Sequence, residues 1–299
     1  MTASTLENLI EIFDVTPVDA TRFTGGSDGG ERDVVDGSQM LAQSIVAAGK
    51  ALPGRTARSA HALFVGAARP GLPLEFTVTP VRAGRSFASV VVTVAQHDPA
   101  AHGDRTCVTV TVLLDSPQPD VIRHDRPAGQ PSGHSDGAPS AGPAAAHPVR
   151  MPLPGRELRV EGVRDLNAPG ETGPPVVDAW LRYDTVPGRD DLRRALLSHF
   201  TGHLSISATF RAHEGIGTSQ AHHTVSTAPL GIGISFHDPV GWDGWLRYHH
   251  ESTFAGAGMA YVRGQVLTDD GRILASFTQD AMIRAIDAGA AGMAARSRL

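Results

Sequence analysis

Two histidines one helical turn apart are the side chains of this sequence best suited to acid–base chemistry. His199 and His203 follow an apolar stripe of Leu192, Leu196 and Phe200 that recurs at helical spacing. Because a helix turns by about 100° per residue, both imidazoles lie on the face that packs against other elements. An unperturbed imidazole titrates near neutral pH, which makes His203 a candidate general base for activating water.

Two other interpretations of this histidine pair stay open. His203 can be a hydrogen-bonded histidine of the core or of an interface, without chemistry. His199 and His203 can also be half of a metal site, but no carboxylate or third ligand stands at a convincing spacing, so we expect no metal. The glycine-rich run at 25–30 lacks the lysine and hydroxyl residue of a phosphate-binding loop, and we expect no cofactor.

Four further histidines occur as adjacent pairs. His222-His223 and His249-His250 fall on predicted strands, where successive side chains face opposite ways. We expect these residues at the surface or at an interface.

The elements that must position these groups follow the same order in each half of the chain. Asp36-Gly37-Ser38 precedes an apolar stripe and predicts a helix near 38–52, and Asp190-Asp191 opens a second helix over 190–208. The strands that follow lack the intervening helices that parallel strands need, so we predict antiparallel sheets, one wrapped on each helix, in an α+β fold. The predicted strands are Arg85–Gln96, Thr106–Leu114, Trp180–Tyr183, Ala221–Thr227, Ile232–His237, Trp245–Ser252, Met259–Thr268 and Ile273–Ile283.

One segment separates the two halves. Residues 116–154 are rich in Pro, Gly, Ser, Ala and His and have few large apolar side chains. Such a stretch cannot bury enough surface to offset its ordering entropy. We predict a linker there, disordered in its middle, between an N-terminal domain at 1–115 and a C-terminal domain at 155–299.

Composition and charge narrow the class of protein. The 299 residues carry a formal net charge of -5 and no basic patch, so we expect no nucleic-acid partner. No apolar run approaches the roughly 18 residues of a membrane helix, and Met1–Leu9 does not read as a signal peptide. The single cysteine, Cys107, cannot form an internal disulfide, which fits a reducing compartment. We expect a cytoplasmic protein.

Several short motifs in a fixed order carry a family resemblance. Those of the first half are Asp36-Gly37-Ser38-Gln39, His61-Ala62-Leu63-Phe64 and Arg82-Ala83-Gly84-Arg85-Ser86-Phe87. Those of the second half are Trp180-Leu181-Arg182, Arg211-Ala212-His213-Glu214-Gly215, Ser235-Phe236-His237-Asp238-Pro239, Trp245-Leu246, Glu251-Ser252 and Ile273-Leu274-Ala275-Ser276-Phe277-Thr278-Gln279-Asp280. In their order and spacing these motifs resemble the acyl-CoA thioesterase II family.

The resemblance implies a fold and a substrate class. The fold is a double hotdog, in which two long helices are each wrapped by an antiparallel sheet and the sheets join edge to edge as a pseudo-dimer. The substrate is an acyl group on coenzyme A or a similar pantetheine carrier. The resemblance also allows a homo-oligomer.

A water-holding set of Asp, Thr or Ser, and Gln is implied as well, in the second half. The Gln corresponds to Gln279, while the Asp position is filled by Gly202, so we predict that the neighbouring His203 replaces the missing base. The hydroxyl position falls on Pro229, and Thr227 or Ser226 can substitute if the strand carries a bulge. We therefore predict Gln279, His203 and Thr227 as catalytic residues and Gly202, Ser226 and Gln39 as substrate-binding residues.

The expected function is that of an acyl-CoA thioesterase, a hydrolase that cleaves an acyl thioester with activated water in fatty acid metabolism. The glycine at 202 leaves two alternatives open. One is a non-hydrolytic hotdog enzyme, such as a dehydratase, hydratase or cyclase-like catalyst on a carrier-bound acyl chain. The other is an acyl-binding protein without turnover.

Overall fold

A computed structural model describes residues 5–30, 32–98, 103–128, 141–237 and 239–286. In these residues the chain forms four α-helices, one short 3-10 helix at Thr218–Gln220 and thirteen strands. The helices are α1 (Leu6–Phe13), α2 (Gly37–Ala51), α3 (Asp190–Thr201) and α4 (Ser205–Phe210). The strands are β1 (Thr16–Pro17), β2 (Arg22–Gly25), β3 (Thr56–Phe64), β4 (Leu74–Ala83), β5 (Phe87–Asp98), β6 (Gly103–Asp115), β7 (His147–Pro148), β8 (Arg156–Glu161), β9 (Val176–Tyr183), β10 (Val225–Phe236), β11 (Trp245–Gly256), β12 (Met259–Thr268) and β13 (Ile273–Ala285).

The strands form one continuous antiparallel sheet that joins the two halves. Its order is β1-β2-β4-β5-β6-β3-β10-β13-β12-β11-β9-β8-β7. The halves meet where β3 pairs with β10, with Ala62 opposite Ile232 and His61 opposite Gly233. A Cβ on Gly233 would lie 2.7 Å from His61 Nδ1. Glycine at 233 therefore leaves space for the His61 side chain to lie across the junction between β3 and β10, which we call the seam. The predicted α+β fold, with two wrapped helices and sheets joined edge to edge, is confirmed.

The first wrapped helix, α2, is fixed at both ends. The Asp36 carboxylate caps its start by accepting a hydrogen bond from Ser38 N at 2.9 Å. Near its other end Lys50 forms a 2.6 Å ion pair with Asp14. Residues 38–48 are all buried, because the sheet covers one side of the helix and α3 covers another. No helix in the described residues is both long enough and apolar enough to cross a membrane.

Helices α2 and α3 lie side by side and run in opposite directions. A Cβ on Gly202, at the end of α3, would lie 2.9 Å from Ser38 Cβ at the start of α2. At the other end, a Cβ on Gly49 would lie 3.5 Å from Asp191 Cβ. The end of each helix therefore meets the start of the other.

The second wrapped helix is interrupted, where the sequence predicted one helix over 190–208. Helix α3 ends at Thr201, and α4 begins at Ser205. Between them Leu204 adopts a φ of 62°, in the left-handed region that a leucine rarely occupies. The backbone turns at Gly202–Leu204, so His203 lies at a helix end.

The strand predictions differ from the structure in several places. Ala221–Thr227 and Ile232–His237 were predicted as separate strands, but β10 is a single strand whose register with β13 shifts between Pro229 and Gly231. A bulge in this strand was the condition under which Thr227 or Ser226 could replace the hydroxyl residue. Strands β1, β2, β3, β4, β7 and β8 were not predicted. In β3, three of the buried positions are alanines that give little hydrophobic alternation.

Residues 129–140, the middle of the predicted linker, lie outside the described residues. On one side of them the chain lies against the second half, where Gln265 accepts a 2.6 Å hydrogen bond from Ala128 N and donates a 3.2 Å bond to Arg126 O. On the other side β7 pairs with β8. The domain boundaries and the linker itself stay predictions.

Replacing residues 129–140 with a Gly/Ser sequence of equal length should leave the melting temperature within about 1 °C, because loop composition contributes little to stability. Gln265→Leu is the control, since it removes two hydrogen bonds that hold the flank. It should lower the melting temperature by about 2–4 °C. Thermal unfolding followed by circular dichroism measures both. A loss of folding on replacement would place the segment in the core instead.

Candidate active site

A carboxylate from the first half meets an imidazole from the second at the start of α2. Asp36 Oδ1 accepts hydrogen bonds from Ser38 N at 2.9 Å and Ser38 Oγ at 2.5 Å. Its other oxygen, Oδ2, is 2.8 Å from Arg32 Nη2 and 3.6 Å from His203 Nε2. The side chains of Asp36 and His203 retain 23% and 15% of their accessible surface, so the pair is reachable from solvent.

The orientation of His203 is set by its own helix. Its Nδ1 lies 3.1 Å from the carbonyl oxygen of His199, and a carbonyl can only accept, so Nδ1 carries the proton. The ring stacks on Phe200 with centroids 5.1 Å apart, and His199 is in turn in contact with Phe13. In the neutral ring, Nε2 therefore holds an unshared pair that faces Asp36.

Burial and charge set the protonation states of this pair. Burial lowers the pKa of His203, and Asp36 opposes this only in part. Burial also lowers the pKa of His199, to about 3. For Asp36, burial acts to raise the pKa. The charge of His203 in its protonated form, the charge of Arg32 and the Ser38 hydrogen bond together outweigh burial and hold the pKa of Asp36 below its usual range. At neutral pH the site holds a carboxylate beside a neutral imidazole.

Gly202 sits between this pair and the sheet. A Cβ there would approach Ser38 Cβ to 2.9 Å and Ile232 Cδ1 to 3.2 Å. Ile232 is the register partner of Gln279 on β13. Gly202, which was predicted to bind substrate, thus lies between the residue next to Asp36 in the site and the strand neighbour of Gln279. Little room remains there for the side chain of an aspartate.

Gln279 is the least satisfied polar group of the site. It is 1% exposed on β13, on the sheet face that the helices cover. Neither its Oε1 nor its Nε2 has a hydrogen-bond partner within the described part of the chain. Buried amides without partners are rare and mark places where a water or a ligand binds.

Two other predicted site residues lie apart from Gln279. Thr227 pairs with Ile283, four residues along β13 from Gln279, which is about 13 Å at the rise of a strand. Ser226 pairs with the following residue and is farther away. The two hydroxyls, predicted as site residues, therefore do not lie beside Gln279.

The amide of Gln39, predicted to bind substrate, is occupied by the protein itself. Its Oε1 accepts from Asp28 N at 3.1 Å, and its Nε2 donates to Gln43 Oε1 at 3.1 Å and to Gly26 O at 3.4 Å. These bonds fix the glycine-rich loop to α2. Gln39 therefore acts on the loop and offers no unpaired group to a ligand.

The paired histidines match their predicted places only in part. His222 and His223 are exposed, as predicted, but they are in a turn and not on a strand, and His222 has a φ of 65°. His249 and His250 are on β11 but are buried, at 9% and 0% exposure, instead of lying at the surface. The alternation of faces holds, since His249 binds Asp178 at 2.9 Å and His250 binds Ser205 at 3.1 Å.

The opposite helix ends, which the pseudo-twofold relation makes equivalent, have a different chemistry. The end of α2 and the start of α3 line a cavity of about 210 Å³ whose walls include Arg55, Arg194, Asp190 and Asp191. Both carboxylates are held in ion pairs, Asp190 with Arg194 at 2.6 Å and Asp191 with Arg189 at 2.6 Å. Guanidinium groups are protonated at neutral pH and cannot accept a proton from water. Of these two sites, the one at the start of α2 has the neutral imidazole.

Metal chemistry finds no support in this arrangement of side chains. Within the described ranges, no group of three or more His, Cys, Asp or Glu side chains could hold a metal ion.

The sequence analysis missed Asp36 as the partner of His203, because it used Asp36 only as the start of a helix. No local pattern links two residues so far apart in the chain.

Comparison with known proteins identifies the family. The profile of the acyl-CoA thioesterase N-terminal domain matches residues 29–114, and that of the acyl-CoA thioesterase C-terminal domain matches residues 126–283. Acyl-CoA thioesterase 2 of Haemophilus influenzae is 26% identical over 289 residues, covering 93% of this chain and 98% of the relative.

Solved structures agree in fold. A TesB protein of Mycobacterium avium subs paratuberculosis superposes with a TM-score of 0.73 at 19% identity, over 93% of this chain and 99% of that one. The acyl-CoA thioesterase II TesB2 of Mycobacterium marinum gives a TM-score of 0.69 at 23% identity, over 94% and 98%. The two profiles together span most of the sequence, and they favour hydrolysis over the dehydratase-like and binding-only alternatives. The chain therefore belongs to the acyl-CoA thioesterase family, whose members are thioester hydrolases.

Proposed function

We propose that this protein hydrolyses acyl-CoA, or another pantetheine-linked acyl thioester, with a water activated by His203 and Asp36. The observation that carries the proposal is the 3.6 Å approach of Asp36 Oδ2 to His203 Nε2 across the two halves. The relatives are acyl-CoA thioesterases, which supports coenzyme A as the carrier.

A single water can bind both groups at once. The two atoms are too far apart for a direct hydrogen bond, but a water about 2.8 Å from each can donate one proton to Nε2 and the other to the carboxylate. Its oxygen then directs an unshared pair away from both groups and toward an acyl carbon. As the water attacks, its proton passes to His203 Nε2, and Asp36 stabilises the imidazolium that forms. When the tetrahedral intermediate collapses, the C–S bond breaks and the imidazolium gives this proton to the leaving thiolate.

The thioester carbonyl needs a separate donor for the negative charge that develops on its oxygen. The amide of Gln279 can supply one, since its Nε2 has no partner in the described residues. The start of α2 adds the partial positive charge of a helix N-terminus on the other side of Gly202. These groups stabilise the tetrahedral intermediate without a change in protonation of their own.

In this proposal the first half supplies the carboxylate that the second half lacks. The family resemblance implies an aspartate at position 202, but the space there is filled by Ser38. Asp36 accepts a hydrogen bond from the Ser38 hydroxyl, and Ser38 is the residue that a side chain at 202 would meet. The Asp36 carboxylate is therefore close to the position of the missing aspartate. His203 then works as the base, with Asp36 as the group that orients the water and balances the charge.

The setting of the reaction is also proposed. We place the enzyme in the cytoplasm, because its one cysteine, Cys107, is buried in β6 and unpaired. The acid that it releases would enter fatty acid metabolism. The outer face of β3, where Leu63 is exposed, leaves room for a homo-oligomer.

The pH dependence of hydrolysis tests the pair. His203 must be neutral to accept a proton, so kcat/KM should fall only below its lowered pKa, that is, below about 6.5. Asp36 raises the pKa of His203, so Asp36→Asn should lower the rate and move this acid limb to lower pH. Asparagine still caps a helix, so α2 should remain folded.

His203→Gln should lower kcat by about 10²–10⁴-fold, as expected for loss of a general base. His213→Gln, which changes an exposed histidine of the same half, is the control and should change nothing. Thiol release from acyl-CoA gives the rates. A His203→Gln rate within twofold of the wild type would show that another group activates the water.

Gln279→Leu should lower kcat by about 10²-fold and raise the stability of the fold. The gain, about 1–3 kcal/mol in the free energy of unfolding, follows from removing a buried amide that has no hydrogen-bond partner among the described residues. Gln39→Leu is the matched control and should destabilise, because its amide is hydrogen-bonded. Urea denaturation measures both. If Gln279→Leu destabilises as Gln39→Leu does, the Gln279 amide is structural.

A further inference from the structure

A second buried polar side chain, His250, lies in the same layer as Gln279. It is on β11, has no exposed surface, and faces the helices. Its Nδ1 is 3.1 Å from Ser205 Oγ at the start of α4, whereas its Nε2 has no partner within the residues that the structure describes. The proposed hydrolysis uses Gln279 but gives no role to His250.

The register of the sheet relates the two side chains. His250 pairs with Gly264 on β12, and Gly264 pairs with Phe277 on β13. A Cβ on Gly264 would lie 2.2 Å from Phe277 Cζ, so the phenyl ring crosses the glycine and meets the His250 ring with centroids 4.9 Å apart. Gln279 is two residues beyond Phe277 and faces the same side.

The next row of the sheet closes a patch between these groups. Ser252 on β11 pairs with Val262 on β12, which pairs with Gln279. Ser252 Oγ accepts a 2.9 Å hydrogen bond from Thr209 on α4. The apolar surface of Val262 is thus bordered by His250 and Gln279 at opposite corners. Within the helix-facing layer, the direct path from Gln279 to His250 crosses this surface.

Ser205 Oγ has one proton and two acceptors within reach, Thr201 O at 3.3 Å and His250 Nδ1 at 3.1 Å. In either tautomer of His250 the Nε2 atom is left with an unshared pair or a proton that no described residue binds. Burial lowers the pKa of His250 to about 3, so the ring is neutral and binds by hydrogen bonding, not by charge.

We propose that His250 Nε2 binds a hydroxyl group on the acyl chain, so that the enzyme prefers hydroxylated acyl thioesters to unsubstituted ones; this rests on the proposed function. A hydroxyl both donates and accepts, and it satisfies a buried imidazole nitrogen without adding charge to an apolar layer. A carboxylate would bring a charge that neither His250 nor Gln279 can neutralise. The neighbouring His249 gives the contrast, since it is paired with Asp178 on the outer face.

The test separates binding from turnover by using thioether analogues that cannot be hydrolysed. S-(2-hydroxybutyl)-CoA, S-(3-hydroxybutyl)-CoA, S-(4-hydroxybutyl)-CoA and S-butyl-CoA are titrated into the full-length protein by calorimetry. At least one hydroxylated analogue should bind about 10-fold to 100-fold more tightly than the butyl analogue, since a site built to bind a hydroxyl rejects its absence.

His250→Asn keeps a polar atom near the Nδ1 position for Ser205 and removes Nε2. It should bring the hydroxyl preference to within about twofold of unity. His249→Asn makes the same change on the outer face and should keep the preference. His250→Leu repeats the test with an apolar side chain if the asparagine variant does not fold.

The inference is wrong if the wild type binds all four analogues equally, or if the preference survives both His250 variants. Hydrolysis of the corresponding acyl-CoAs is measured separately. If no thioester is cleaved, the proposed function fails, while the binding ratios still decide the role of His250.

Discussion

The backbone hydrogen bonds between β3 and β10 are the interaction on which the site depends. They join two half-sheets into one and fix how far each half can slide past the other, with Ala62 opposite Ile232. Because each helix is held on its own half-sheet, this register also sets the height at which α2 passes α3. A shift of two residues along the seam would move one half by about 7 Å and separate Asp36 from His203.

Close approach of the helices is the second condition. Glycine at 202 lets the end of α3 come against Ser38, and the same contact brings the carboxylate that caps α2 to the imidazole that follows α3. Glycine leaves position 202 without a carboxylate, and it also makes room for Asp36 to approach His203. The left-handed Leu204 then turns the chain away, which leaves His203 at the corner with 15% of its side chain exposed.

The sequence predicts the halves, the wrapped helices and Gln279, because each depends on local periodicity or on a run of matched motifs. It predicts His203 as a candidate base because the residue shares a helix face with Leu196. Asp36 could not be paired with His203 in this way, since the two are brought together by the β3–β10 register and by the packing of α2 against α3. The burial of His250 was missed for a related reason: strand alternation shows that neighbours face opposite sides, but not that both sides of β11 are covered.

In the described part of the chain, the buried polar atoms of Gln279 and His250 that lack partners lower stability, so we relate them to substrate binding. Gln279 and His250 could be replaced by apolar residues of similar size without breaking a hydrogen bond of the sheet, and the layer around Val262 would then resemble an ordinary core. A buried amide and a buried imidazole nitrogen without partners each lower the stability of the folded state. Such groups become favourable only when a substrate completes their hydrogen bonds. The same layer can therefore hold the acyl chain and discriminate among chains, since an unsubstituted chain leaves His250 unsatisfied while a hydroxylated one does not.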